Sequence, residues 1–167
     1  MHLRPGDKCV AQITIMKQLS NSTYKSDKLY PSVMRAVAAI LERSLFVAPI
    51  DVLIATDRLD KKIYEEWRFG RMPYLERVTK SGLGNLNRIL RIVQLHCQEL
   101  GLKPSHTVYN RWGKGPKTRL RFSKSGDANL ETAYSTHWVA TRVREVVTNV
   151  DDIPRNASRQ STQIDSG

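Results

Sequence analysis

The stretch "NLNRILRIVQLHCQEL", residues 85–100, decides how the chain is read. Leu86, Ile89, Leu90, Val93, Cys97 and Leu100 recur at the spacing of one face of an α-helix. Asn85 is placed to cap that helix, Gly101 to end it, and Pro104 opposes any continuation. Just before it, "SGLG" at residues 81–84 breaks the chain, and "PYLERVTK" at 73–80 reads as a shorter helix. Helix, glycine-containing turn and helix is the order of a helix-turn-helix. If the second helix buries its apolar stripe, Asn87, Arg88, Arg91, Gln94 and Gln98 face outward. Asn and Gln can pair with adenine there, and Arg with guanine. Every amphipathic helix has a polar face, so this pattern alone does not separate a reading helix from an ordinary helical corner.

The segment that follows sharpens the reading. "HTVYNRW" and "KTRLRF" are short runs of β-forming residues around a Gly-Lys-Gly-Pro loop, and they read as a hairpin. Between Tyr109 and Asp127 there is no acid, while Arg111, Lys114, Lys117, Arg119, Arg121 and Lys124 crowd in. A register pairing Asn110 with Leu120 puts Val108, Trp112, Leu120 and Phe122 on the inner face. It sets Arg111 opposite Arg119 and Tyr109 opposite Arg121 on the outer face. Like charges directly opposed destabilise a sheet, and an anion between them would remove that cost. Gly113 and Gly115 would let backbone N–H groups approach a phosphate closely, although the loop is not a Walker A sequence. The alternative is a solvated basic hairpin whose charges only keep the surface wet. A basic hairpin after such a helix is the layout of a winged helix. The fold expected is therefore mainly α with a β-hairpin, helix-turn-helix or winged-helix-like.

Charge supports an anionic partner. The 167 residues hold 27 Lys and Arg against 16 acids, so the formal charge is 27 − 16 = +11 and the pI is near 10.0. Such an excess repels itself in a compact state, and nucleic acid is the commonest compensating polyanion. Cys9 and Cys97 alone form neither a disulfide framework nor a zinc knuckle. No run spans a bilayer, and the N-terminus lacks a signal-peptide pattern, which gives a cytoplasmic reading. Two glycosylation-type triplets, at Asn21 and Asn156, carry no weight without export.

The remaining chain reads as one domain with two arms. Residues 1–29 form an N-terminal arm in which residues 9–16 could make an edge strand. Residues 30–144 form a single helical domain with the basic hairpin, and residues 145–167 read as a disordered tail. In the first helix Val33, Met34, Val37, Ala38, Leu41 and Leu45 form the apolar stripe. Pro49 suits a first helical position, Asp60 caps "KKIYEEWRF", and Gly70 closes it. Asp127 caps a last helix, "ANLETAYSTHWV". In "EEWRFGRMPYLER", Arg68, Arg71 and Arg77 lie near Trp67, Phe69 and Tyr74, and could stack on rings or meet phosphate. A helix corner neutralised by Glu65, Glu66 and Glu76 is the stronger reading of that segment.

His106, Ser123, Ser125, Asp127, Glu131 and His137 fall in one region and could suggest a nuclease, which needs carboxylates for metal or a His as base. A helix cap for Asp127, an exposed helical position for Glu131 and helix-end packing for His137 read these residues without catalysis. No cofactor motif is found.

The words "WRFGRMPYLERV", "YNRWGKGP" and "LRFSKSGD" resemble a family of short, uncharacterised bacterial proteins over residues 30–138. The resemblance implies a bacterial cytoplasmic setting and carries over no residue roles. The first thirty residues and the end after Val139 stand outside it.

The reading reached is a nucleic-acid-binding protein, directed to DNA ahead of RNA. Its site is Asn87, Arg88, Arg91 and Gln94 on the helix with Arg111, Lys114, Lys117, Arg119, Arg121 and Lys124 on the hairpin. The alternatives are RNA or ribonucleoprotein binding with Trp112, Tyr109 or Phe122 stacking on bases, a small nuclease, and an adaptor for an acidic protein partner. A homodimer stays open.

Overall fold

The computed structural model describes Ser20 and residues 22–141. These residues are mainly helical, with a small antiparallel sheet. In chain order they form α1 (Tyr30–Leu41), β1 (Phe46–Val47), α2 (Pro49–Ala55), α3 (Lys61–Arg68), α4 (Leu83–Glu99), β2 (Lys103–His106), α5 (Ala128–Ser135) and β3 (Thr136–Val139). Short 3-10 turns stand at Tyr24–Ser26 and Leu75–Val78.

Local chemistry sets several boundaries. Pro49 opens α2 where its missing N–H costs nothing. The Asp60 carboxylate accepts from the N–H groups of Lys62 and Ile63 at 2.8 and 3.3 Å, and Asp127 does the same for Asn129 and Leu130 at 3.0 and 3.1 Å. Gly101, at φ 76°, ends α4.

Helix α4 is the centre of the molecule. It packs on α1, on α5 and on the first 3-10 turn. Leu86, Ile89, Leu90, Ile92, Val93, Leu95 and Cys97 are all buried along it. Helix α1 answers with Val33, Ala36, Val37 and Ile40. That face is turned from the expected stripe: Met34 and Leu45 are exposed, and α1 ends at Leu41. Gly82, not Asn85, occupies the cap position of α4, and the helix expected at 73–80 is only the turn Leu75–Val78.

The folded unit begins before residue 30. Tyr24 is 2% exposed and Leu29 is 6% exposed, both within the core. The Tyr24 hydroxyl donates to the Glu99 carboxylate at the end of α4. The strand expected at residues 9–16 and the tail at 145–167 lie outside the described residues.

Sheet order is β1-β3-β2, both pairs antiparallel. Phe46 faces Val139, and Lys103, Pro104, Ser105 and His106 face Val139, Trp138, His137 and Thr136 in turn. Pro104 fits because β2 is an edge strand. The expected last helix stops at Ser135, and its remaining residues become the central strand. Thr136, His137, Trp138 and Val139 are β-branched or aromatic, and burial alternates along them, which a strand satisfies and a helix does not.

Candidate nucleic-acid interface

Residues 107–127 run between β2 and α5 as a folded-back ribbon with one bridge, Asn110 to Arg119. The Arg111 N–H donates to the Thr118 carbonyl at 2.8 Å, and the Leu120 N–H donates to the Tyr109 carbonyl at 2.8 Å. The register therefore sits one residue from the expected one. A one-residue slip turns a strand over. Tyr109, not Val108, faces inward with Leu120 and Phe122, while Val108 is 60% exposed.

The reason is visible in what Tyr109 gains. Its ring lies 5.9 Å from Trp67, 5.0 Å from Phe122 and 5.8 Å from His137. Its hydroxyl hydrogen-bonds to the His137 Nε2 at 2.8 Å. A buried tyrosine brings more apolar area than valine, and its polar end is satisfied here. Phe122 continues the column by stacking on Tyr134 at 5.3 Å. Leu75 and Glu76 N–H groups donate to the carbonyls of Arg121 and Phe122, so the second leg also rests on the Leu75–Val78 turn.

With its inner face anchored, the ribbon turns its cations outward. Every residue from 111 to 119 is exposed, as are Arg121 and Lys124. Gly113 and Gly115, at φ 99° and 112°, make the turn. Arg119 stands opposite Asn110, not opposite Arg111, so the expected opposition of arginines does not occur. Arg111 instead lies along Gly70, where an added Cβ would stand only 3.1 Å from its Cδ, and donates from Nε to the Phe69 carbonyl at 3.1 Å. Arg121 donates to the Lys124 carbonyl at 2.5 Å. Ion pairs among the described residues join Lys25 to Glu99, Arg71 to Glu66, Lys80 to Asp57 and Arg88 to Asp27. Arg111, Lys114, Lys117, Arg119, Arg121 and Lys124 thus form no ion pair with a carboxylate among the described residues.

Two carboxylates do sit beneath the ribbon, but they hold its backbone. Glu131 on α5 accepts from the N–H groups of Phe122 and Ser123 at 3.1 and 2.8 Å, and from the Ser123 hydroxyl at 2.6 Å. Glu76 accepts from the Lys124 N–H at 3.1 Å and the Tyr134 hydroxyl at 3.2 Å. Burial lifts the Glu76 carboxyl above its ordinary value, and those two donors pull it partly back. Glu131 is thus a clamp rather than an exposed helical position, and Asp127 is the cap expected of it. Ser123, fully buried, is spent within the same loop, its oxygen also accepting from the Gly126 N–H.

At the turn end of the ribbon, aromatic rings and arginine meet. Trp112 is bound to α3 through its N–H and the Arg68 carbonyl at 2.7 Å. The Arg68 guanidinium lies 4.5 Å from the Trp112 ring and 4.9 Å from the Tyr109 ring. Trp112, expected on the inner face, is 38% exposed.

The other half of the expected site is placed differently. Asn87 is 2% exposed, inside the fold. Arg88 donates twice to Asp27, at 2.6 and 2.9 Å, and the Asp27 side chain is only 4% exposed. Arg91 and Gln94 are half-buried and bonded to each other at 2.9 Å. The outward reading face expected of α4 is therefore corrected: three partners pack around this helix, Asn87 is buried, Arg88 is held by Asp27, and Arg91 and Gln94 are half-buried. Gln98 alone of that group is exposed.

Of the histidines expected near the ribbon, His137 packs into the fold and His106 does not. His137 stacks on Phe46 at 5.0 Å, and burial pulls its pKa below the ordinary value. His106 is exposed on β2, next to a groove of about 400 Å³ that Gln94, Asn129 and Thr132 also line. Cys97 is buried, and burial pushes its thiol up to about 12, which keeps it protonated and inert. Among the described residues no three of His, Cys, Asp and Glu gather as a metal-holding group, and no helix is long and apolar enough to cross a membrane. No protein-family model, curated protein or solved structure matches this chain.

Proposed function

We propose that the protein binds nucleic acid by its phosphate backbone, through the ribbon at residues 107–127. The observation that carries this reading is the exposed, acid-free run 111–119 with Arg111, Lys114, Lys117 and Arg119, joined by Arg121 and Lys124. Cations held on an anchored frame without carboxylate partners create a positive field that a polyanion relieves. Backbone contacts position a nucleic acid and are blind to its sequence. The burial of Asn87 and the pairing of Arg88 with Asp27 withdraw support from base reading by α4, so the binding expected is non-specific.

The test is a titration of a short labelled duplex DNA over several salt concentrations. Replacing Lys114, Lys117, Arg119 and Arg121 by Gln should weaken binding and flatten the log–log salt slope by roughly 0.9 for each phosphate that is no longer neutralised. Unchanged affinity and slope would overturn the proposal. All four positions are exposed, so the substitutions leave the core intact.

A further inference from the structure

Of the three tryptophans, Trp67 and Trp138 are buried and Trp112 is 38% exposed. Beside it Phe69 is 39% exposed, with the two rings edge to face at 5.7 Å and 81°. Neither ring is loose. Trp112 is fixed by its backbone bond to Arg68 and by the Arg68 guanidinium against its ring. Tyr64 meets it edge to face at 6.2 Å. Phe69 is the cap residue of α3, and its carbonyl takes the Arg111 Nε. Each residue keeps more than a third of its surface in solvent, and a partner that covers the adjoining rings removes that apolar area from water.

The surroundings say what kind of group covers them. Arg71 lies 5.3 Å from the Phe69 ring, Arg111 runs behind it, and Lys114 follows two residues after Trp112. Two perpendicular rings set among cations offer one ring face for a flat base to stack on and the other ring as a wall beside it, and the cations suit a base carried on an anionic chain. A duplex does not offer that, because its bases are stacked on one another and show only their edges. An unpaired strand does, since each base has a free π-face and each nucleotide a phosphate.

We infer that Trp112 and Phe69 form a stacking platform for an unpaired nucleobase, so that the partner is a single strand or an unpaired stretch of nucleic acid. This rests on the reading of the ribbon as a phosphate-binding surface, and it names the class of strand that surface takes. Tyr109 and Phe122, whose rings are buried, have no part in it.

The test uses the full chain and probes of equal length and charge: oligo(dT), oligo(U), an abasic deoxyribose-phosphate strand and a duplex. At one salt concentration the base-bearing strands should bind roughly five- to a hundredfold more tightly than the abasic strand. Their binding should quench tryptophan emission. Trp112→Ala should erase the difference between base-bearing and abasic strands, and Trp112→Phe should keep part of it. The wild-type comparison needs no substitution, so misfolding cannot hide the answer. A preference for oligo(U) or oligo(dT) separates RNA from DNA, and either supports the platform. Equal binding of base-bearing and abasic strands overturns it and leaves the ribbon reading standing. Salt-insensitive or absent binding to every probe overturns both. Displacement by polyglutamate of the same charge as readily as by oligo(dT) also overturns the platform, in favour of an acidic protein partner.

Discussion

The indole N–H of Trp67 on α3 donates to the backbone carbonyl of Arg121 at 2.9 Å. The ring bearing that N–H is fully buried, while the Arg121 side chain stands in solvent. One residue of the basic ribbon is thus tied to the core by its main chain while its charge stays at the surface. Trp67→Phe keeps an aromatic ring but removes the donor and leaves a void. The carbonyl retains its bond from the Leu75 N–H, so the loss should be moderate, about 2 kcal/mol in chemical denaturation. A change below a few tenths would show that the tie is unimportant.

Arg88 should matter to stability and not to nucleic-acid binding. Its carboxylate partner Asp27 is nearly buried, and Arg88→Ala leaves that charge with the Leu29 N–H, at 2.9 Å, still donating to it. Losing one partner of a largely buried pair costs roughly 3 kcal/mol. Denaturant unfolding checks the first half of the statement and oligonucleotide titration the second. A selective loss of sequence discrimination, with stability intact, would restore α4 as a reading helix.

Glu131 carries the loop that follows Phe122. Glu131→Ala removes the acceptor for two N–H groups and one hydroxyl, and should destabilise the protein by roughly 2–3 kcal/mol. Glu131→Gln keeps one acceptor oxygen and should cost less. Hydrogen exchange at Phe122 and Ser123 should accelerate in the alanine variant ahead of global unfolding. If those amides stay protected, the clamp is supported elsewhere.

His137 should make stability fall in weak acid. Burial holds its pKa below the ordinary value of 6.5, so the unfolded chain takes up a proton that the folded one refuses. Its contribution is complete above 6.5 and is lost as pH falls through the lowered folded value. His137→Gln removes this titration. The stability difference between wild type and variant should therefore shrink between pH 7 and pH 5. A difference that stays constant across that range would contradict the lowered pKa. Burial also raises Asp51 and Glu76, which act in the opposite direction as pH changes, so the comparison with the variant is needed to isolate the histidine.

Residues whose roles are set within one turn were legible from the sequence. Asp60 and Asp127 cap, Pro49 opens α2, and Gly101 closes α4, as their local chemistry requires. Leu120 and Phe122 also point inward, and Arg119 and Arg121 outward, as expected. What failed depends on distant partners. Asn87 lies on the polar side of α4 by periodicity, but that side is also covered, and no local pattern announces a second covering element. Tyr109 and Val108 compete for one inward position, and the choice is made by Trp67, Phe122 and His137, all held in place by other parts of the fold. Thr136–Val139 directly follows a helix and has two strands waiting for it, neither of which reads strongly as β alone. Phe69 and Trp112 were visible as aromatics among arginines, yet their meeting required the ribbon to fold back onto α3.

The placing of β3 between β1 and β2 has a consequence for synthesis. Neither outer strand pairs with the other; each pairs only with Thr136–Val139. During synthesis, Phe46–Val47 and Lys103–His106 are both made before their shared partner Thr136–Val139. The helices α1 and α4 can pack during that interval, because both precede β3 in the chain. The sheet cannot zip up progressively and must close in a single late step. Tyr109 also waits for that step, since its hydroxyl partner His137 lies on the same last strand. A chain truncated before residue 136 would therefore carry its cations on a ribbon whose Tyr109 hydroxyl has lost its partner.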